Sequence, residues 1–247
     1  MMTAVPPDHR VYAVGDIHGC LDLLLSLEAQ ILRDAAAAPE SRKTIVYLGD
    51  YVDRGPDCAG VIGHLIRPLE GFERVFLRGN HEDFILQFIA GEDDGGRRGA
   101  LWMMNGGDAT LRSYGIDASP YAADPLTLQD LRDRLAAAVP DAHRAFLQAT
   151  VFSHRIGGYF FAHAGVRPGT PLDAQDPEDL MWIREPFLWC DDPLDAVVVH
   201  GHTPTARPET RPNRINVDTG AVYNGRLTAV VLSGTQTSFL SAGNEGL

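Results

Sequence analysis

Five times in this chain a β-forming run stops at a cluster of glycine and metal-type side chains. "RVYAV" (10–14) runs into Gly15, Asp16 and His18, and "TIVYL" (44–48) into Gly49-Asp50, with Asp53-Arg54 just beyond. "RVFL" (74–77) runs into Arg78-Gly79-Asn80-His81-Glu82, "YFFA" (159–162) into His163-Ala164-Gly165, and "AVVV" (196–199) into His200-Gly201-His202-Thr203. A single strand-end Asp or His is ordinary turn chemistry. Five such ends constrain the fold as a set, because ligands of open α/β sheets collect at the carboxyl ends of strands. The fold must bring these ends to one place.

The order of the runs says how. In the first third, strands at 10–14, 43–48 and 73–77 alternate with helices at 21–37, 57–67 and 82–91, the last stopping at Gly91. Such alternation implies βαβ units and a mostly parallel sheet. From Gly91 to about Thr150 the signals are helical, around 107–114, 126–138 and 141–149, with Pro120, Pro125 and Pro140 as breakers. This stretch reads as a helical insertion. Strands follow at 150–156, 158–162, 196–199, 213–217, 226–232 and 236–240, with one helix near 177–189 and a hairpin turn at Gly157-Gly158. Two sheets, or one mixed sheet, with helices outside are expected. The 247 residues, 45% of them hydrophobic, suffice for one large domain with a real core.

Composition excludes some partners. Net charge is −12, Lys43 is the only lysine among 21 basic residues, and no basic run exceeds Arg97-Arg98. An acidic chain without a basic patch is not built for a nucleic-acid backbone. No apolar run has the length of a membrane span, and "MMTAVPPDHR" carries no signal-peptide core. Cys20, Cys58 and Cys190 are far apart, as expected of reduced thiols in the cytoplasm.

The residue types at the five ends suit metal ions. A mixed set of carboxylate oxygen and imidazole nitrogen without thiolate fits Mn, Fe or Zn better than Ca. One Asp can bridge two ions, and two-metal sites serve displacement at phosphorus. His9, His64, His143 and His154 lack this setting and read as surface or core residues. Glu82 fits two roles, a part of the site or a charge favoured at a helix N-terminus.

In this order, "GDIHG", "GDYVDRG", "GNHE", "HAG" and "GHT" resemble the phosphoprotein phosphatase (PPP) family of calcineurin-like metallophosphoesterases, spanning residues 15–203. "LWMMNGGDATLRSYG" (101–115), "MWIRE" (181–185) and "INVDTGA" (215–221) resemble its bacterial and phage-type members. The resemblance implies an α/β fold, a β-sandwich of mixed sheets flanked by helices, here as a single domain over 1–247 with the insertion at about 91–150. It also implies roles. Asp16 and His18 would hold one divalent ion, Asp50 would bridge, and Asn80, His163 and His202 would hold the second. His81 would be the general acid, oriented by Asp53. Arg54, Arg78 and Arg184 would bind phosphate oxygens, and His200 would be a strand-end neighbour of the site.

The implied reaction is hydrolysis of phosphoserine or phosphothreonine in proteins by a hydroxide bridging two ions, Mn foremost. Two ions bring +4; Asp16, Asp50 and the hydroxide return −3, leaving about +1 to attract phosphate. One rival is a symmetrical dinucleoside tetraphosphatase, whose second motif lacks the aspartate before Arg and whose third ends in Asp; Asp53 and Glu82 favour the protein phosphatase. A non-catalytic phospho-binding metallo-scaffold would have lost ligands, and none is lost here.

Overall fold

The computed structural model describes residues 3–91, 96–118 and 125–244. Two five-stranded mixed sheets stack face to face. The first has the order β10-β9-β1-β2-β3, from β1 (His9–Val14), β2 (Arg42–Tyr47), β3 (Glu73–Phe76), β9 (Arg226–Ser233) and β10 (Gln236–Gly243). The second has the order β4-β5-β6-β8-β7, from β4 (Ser153–Ile156), β5 (Tyr159–Ala162), β6 (Val197–His200), β7 (Glu209–Thr210) and β8 (Arg214–Asn216). β1, β2 and β3 run parallel, as do β5, β6 and β8, while β9, β10, β4 and β7 pair antiparallel.

The alternation of each strand decides which face meets what. Val11, Ala13, Val46, Val230 and Leu232 point inward against Phe161, Val199 and Ile215 of the second sheet. Their neighbours Tyr12, Val14, Ile45, Tyr47, Ala229 and Val231 face the helices, chiefly α1 (Leu21–Ala37), α2 (Cys58–Leu65) and α3 (Asn80–Ala90). α1 meets them with Leu24, Leu27 and Ile31, one stripe at helical spacing. The outer face of the second sheet, Phe160, Ala162 and Val198, is covered by Leu180, Ile183 and Phe187 around α8 (Pro177–Trp182). The expected sandwich of mixed sheets with helices outside is what forms.

Between β3 and β4 the described residues carry helices only: α3, α4 (Arg97–Trp102), a wide π-type turn (Met103–Gly107), α5 (Asp108–Ser113), α6 (Pro125–Ala138) and α7 (Asp141–Ala149). Pro125 opens α6 rather than breaking it, since a first helical residue needs no N–H; Pro120 lies outside the described residues. Gly91 ends α3 in the left-handed region, and Gly157-Gly158 joins β4 to β5 as a two-residue hairpin. α8 stops at Trp182, seven residues short of the expected end at 189, because Ile183 is extended. A four-residue α9 (Ala221–Asn224) follows β8.

Candidate metal centre and active site

The loops leaving β1, β2, β3, β5 and β6 meet at one rim between the sheets. Their backbone is bent sharply there. Of the six non-glycine residues with positive φ among the described residues, five are His18, Asp50, Asp53, Arg54 and His202. Left-handed backbone costs an L-residue about 1 kcal/mol or more, and such strain clusters at functional sites. Two glycines are required by crowding: a Cβ on Gly79 would lie 2.1 Å from Asp50 Oδ1, and one on Gly201 would lie 2.0 Å from Asp16 Oδ1.

Asp50 is the centre. Its Oδ2 lies 3.4 Å from His18 Nε2, and its Oδ1 lies 3.4 Å from His163 Nε2. The His163 nitrogen is also 3.1 Å from Asn80 Oδ1 and 3.2 Å from His202 Nδ1. Two buried groups result, His18–Asp50–His81 and Asp50–His163–His202, sharing Asp50. Asp16 lies alongside, its carboxylate accepting the His202 amide at 3.0 Å.

The tautomers show what these groups are for. His18 Nδ1 donates to Val52 O (2.8 Å) and His163 Nδ1 to Leu48 O (2.9 Å). Burial depresses both imidazoles, His18 to about 3, so each is neutral and its Nε2 carries a lone pair. Burial depresses His202 as well. Burial works to raise Asp50; in acid, where the surrounding imidazoles are protonated, their charge, that of His163 and His81 first, outweighs it and holds the carboxyl low. Arg54 Nη1 meets the lone pair of His18, while that of His163 faces Asn80 and Asp50 oxygens at 3.1 and 3.4 Å, acceptor against acceptor. That arrangement is repulsive until a cation sits between the groups, and its N/O donors fit two divalent ions bridged by Asp50.

His81 differs from its neighbours. Its Nδ1 bonds Asp53 Oδ2 at 2.6 Å, and its buried Nε2 has no partner. Burial works against protonation, but Asp50 and Asp53 outweigh it and lift the pKa above the ordinary value. The sequence singles out Asp53 without its supports. Trp102 Nε1 donates to both Asp53 oxygens (2.9 and 3.0 Å), and Thr110 Oγ1 donates to Oδ1 at 2.5 Å. Both belong to "LWMMNGGDATLRSYG", the signal that could have found them.

Glu82 resolves into a scaffold residue serving both expected roles. It is the third residue of α3 and accepts Gly79 N–H (2.9 Å), and it also takes the amides of Asp50 (2.8 Å) and Tyr51 (2.7 Å). It ties the end of β3 to the end of β2. Arg54 Nη1 lies 2.6 Å from His18 Nε2, with its guanidinium over the exposed Tyr223 ring. Arg184 is exposed at the flank, near enough to His202 to help depress it. Arg78 turns away: it donates to Thr150 Oγ1 (3.0 Å) and the Gln148 carbonyl (3.0 Å) at the end of α7. His200 is buried against Phe187, outside both groups.

Residues 9–233 match the family model "Calcineurin-like phosphoesterase". The chain belongs to the calcineurin-like phosphoesterases. It is 32% identical to serine/threonine-protein phosphatase 1 of Salmonella typhimurium over 224 residues, covering 89% of this chain and 90% of that one. It is 27% identical to the asymmetrical bis(5'-nucleosyl)-tetraphosphatase PrpE of Anoxybacillus flavithermus, covering 88% of each. A solved structure given as a candidate diadenosine tetraphosphatase superposes with a TM-score of 0.64 at 25% identity, over 98% of each chain. The relatives place the chain in the PPP family, and calcineurin-like metallophosphoesterases use a dinuclear metal centre, for which the converging His and Asp groups supply candidate ligands. Among the described residues no helix is long and apolar enough to cross a membrane.

Proposed function

We propose that this calcineurin-like phosphoesterase removes phosphate from phosphoserine and phosphothreonine in proteins. One observation carries the reading: a buried imidazole, His81, with one nitrogen fixed by Asp53 and the other free. In this reading Asp16 and His18 would hold one ion, Asn80, His163 and His202 would hold the second, and Asp50 would serve both. Mn is the foremost candidate, then Fe or Zn. When bound, the ions neutralise phosphoryl charge and lower the pKa of water to about 7.

The remaining work falls to the protein. His81 donates its Nε2 proton to the departing alkoxide while Asp53 steadies the imidazolium through Nδ1. An alkoxide is a poor leaving group, so a serine or threonine ester needs this proton. Arg54 exchanges its contact with His18 for phosphate oxygens, for which its planar fork is suited. Arg184 approaches from the rim, and Arg78 joins if it releases the carbonyls of α7. The same reading takes 1–247 as one unit with a helical insertion, working in the cytoplasm, where its three free thiols are at home.

A second reading, hydrolysis of dinucleoside polyphosphates, draws on a different feature. Trp182 packs edge-on to Phe84 (5.2 Å between centroids) and lies 6.2 Å from His202. The pair walls a groove of about 600 Å³ that Arg97 and Arg98 also line. An aromatic wall and two guanidiniums suit a base and extra phosphates. Measured kcat/KM for a phosphothreonine peptide and for diadenosine tetraphosphate, with Mn supplied, decides between them. The first reading expects the peptide to be faster; a clear preference for the dinucleotide overturns it. Metal analysis of the fully active enzyme is expected to give two ions per chain, and a single ion would end the dinuclear reading.

A further inference from the structure

Arg54 follows β2 and Arg78 follows β3, yet the protein holds the two guanidiniums in opposite ways. Arg78 commits its N–H groups to Thr150 Oγ1 and to the Leu147 and Gln148 carbonyls. Arg54, half-buried, is held mainly by shape. Its amide donates to Gly106 O at 3.0 Å. Its stem runs against Gly106, where a Cβ would lie 2.7 Å from Arg54 Cγ. Its guanidinium carbon lies over the Tyr223 ring, 5.7 Å from the centroid, inside the ~6 Å reach of a cation–π contact. A guanidinium held through its face keeps its edge, because the face contact engages none of the N–H donors.

Tyr223 is 63% exposed, and a single exposed aromatic is ordinary. Its mounting gives it a task. "INVDTGA" runs into α9, a single turn with left-handed glycines, Gly220 and Gly225, at its two ends. A Cβ on Gly220 would lie 2.7 Å from Asn224 Nδ2, which donates to Thr219 O at 2.9 Å. Ala221 is buried and Val222 packs on the core, so the turn is anchored while the Tyr223 ring stands out beside Arg54. We propose that Tyr223 is a positioning residue for Arg54, its ring face holding the guanidinium beside the metal centre with the N–H edge left for phosphoryl oxygens. The inference rests on the reading of Arg54 as a phosphate-binding side chain. A long side chain ordered in advance loses less freedom when phosphate binds.

The test uses inorganic phosphate as a competitive inhibitor of p-nitrophenyl phosphate hydrolysis by the Mn-saturated full chain. An inhibition constant does not depend on how much of a preparation is active, so a purely structural role leaves it unmoved. Tyr223→Phe keeps the ring face and is expected to keep the wild-type constant. Tyr223→Leu keeps apolar bulk without the π face and is expected to raise the constant about 3–10-fold. Arg54→Ala is expected to raise it by itself, and Tyr223→Leu is then expected to add nothing in that background, as a double-mutant cycle requires of two groups acting as one. A wild-type constant in Tyr223→Leu overturns the proposal. So does an equal rise in Tyr223→Phe, which would assign the effect to the hydroxyl, or a Tyr223→Leu effect that persists beside Arg54→Ala. An unchanged constant in Arg54→Ala strikes the phosphate role of Arg54 and the proposal with it. Neither probe depends on whether the natural substrate is a phosphoprotein or a dinucleotide, so the peptide comparison is decided separately.

Discussion

Asn80 and His81 leave the first turn of α3 side by side, and the proposed reading gives them different tasks. Asn80 Oδ1 faces His163 Nε2 at 3.1 Å, a ligand's position, while His81 is bound to Asp53. Their substitutions should fail differently. Asn80→Ala is expected to lower metal content by elemental analysis. His81→Asn is expected to keep the metal and lose the proton donor, a contribution of typically about 10²–10⁴-fold. The loss should depend on the leaving group. p-Nitrophenolate departs as a stable anion and needs little help; a serine alkoxide does not. His81→Asn should therefore damage phosphopeptide turnover at least ~10-fold more than p-nitrophenyl phosphate turnover. Equal losses, where chemistry limits kcat, would mean that His81 is not the acid.

At the scale of elements, the π-type turn between α4 and α5 brings Trp102 and Thr110 to Asp53. Trp102→Phe keeps much of the packing and removes one donor from a fully buried carboxylate. A loss of about 1–3 kcal/mol in denaturant unfolding is expected. Activity should fall with the leaving-group pattern of His81→Asn but less steeply, since the acid is disturbed and not removed. An unchanged ratio between the two substrates would confine Trp102 to packing. The sequence shows the motif at 101–115 without its contacts. Glycine and two arginines hide α4, and the contacts of Asp53 with Trp102 and Thr110 join residues 49 and 57 apart, beyond any local pattern. α1 was legible because Leu24, Leu27 and Ile31 recur at helical spacing on its buried face, and β1 because its β-forming run is buried on both sides. The five strand ends were legible because Gly with Asp, Asn or His recurs at each. Arg78 shows the limit: its residue type points to phosphate, but the carbonyls at the end of α7 decide where its side chain lies.

Across the whole molecule, six histidines are buried, and five of them, all but His81, are held below their ordinary pKa. Burial thus opposes proton uptake at these five imidazoles, each of which favours unfolding as pH falls. His200 isolates the effect because it belongs to neither candidate metal group. Burial depresses it to about 4, its Nδ1 donates to Gly201 O at 3.1 Å, and its Nε2 has no partner. At pH 7 the residue is neutral in both folded and unfolded chains, so its protonation contributes nothing. Below about 6.5 the unfolded chain takes up a proton that the folded chain declines, and stability falls as pH drops toward the folded value. At about 1.4 kcal/mol per pH unit, the loss approaches 3 kcal/mol by about pH 4. His200→Asn keeps an N–H for Gly201 O and cannot take up the proton. Its lost packing lowers stability equally at every pH, so the slope carries the information. With both proteins stripped of metal, urea unfolding from pH 7 to 4 should show the wild type losing about 3 kcal/mol more than His200→Asn. Parallel curves would mean that water reaches His200 and relieves its burial, and the acid sensitivity would then belong to the imidazoles around Asp50.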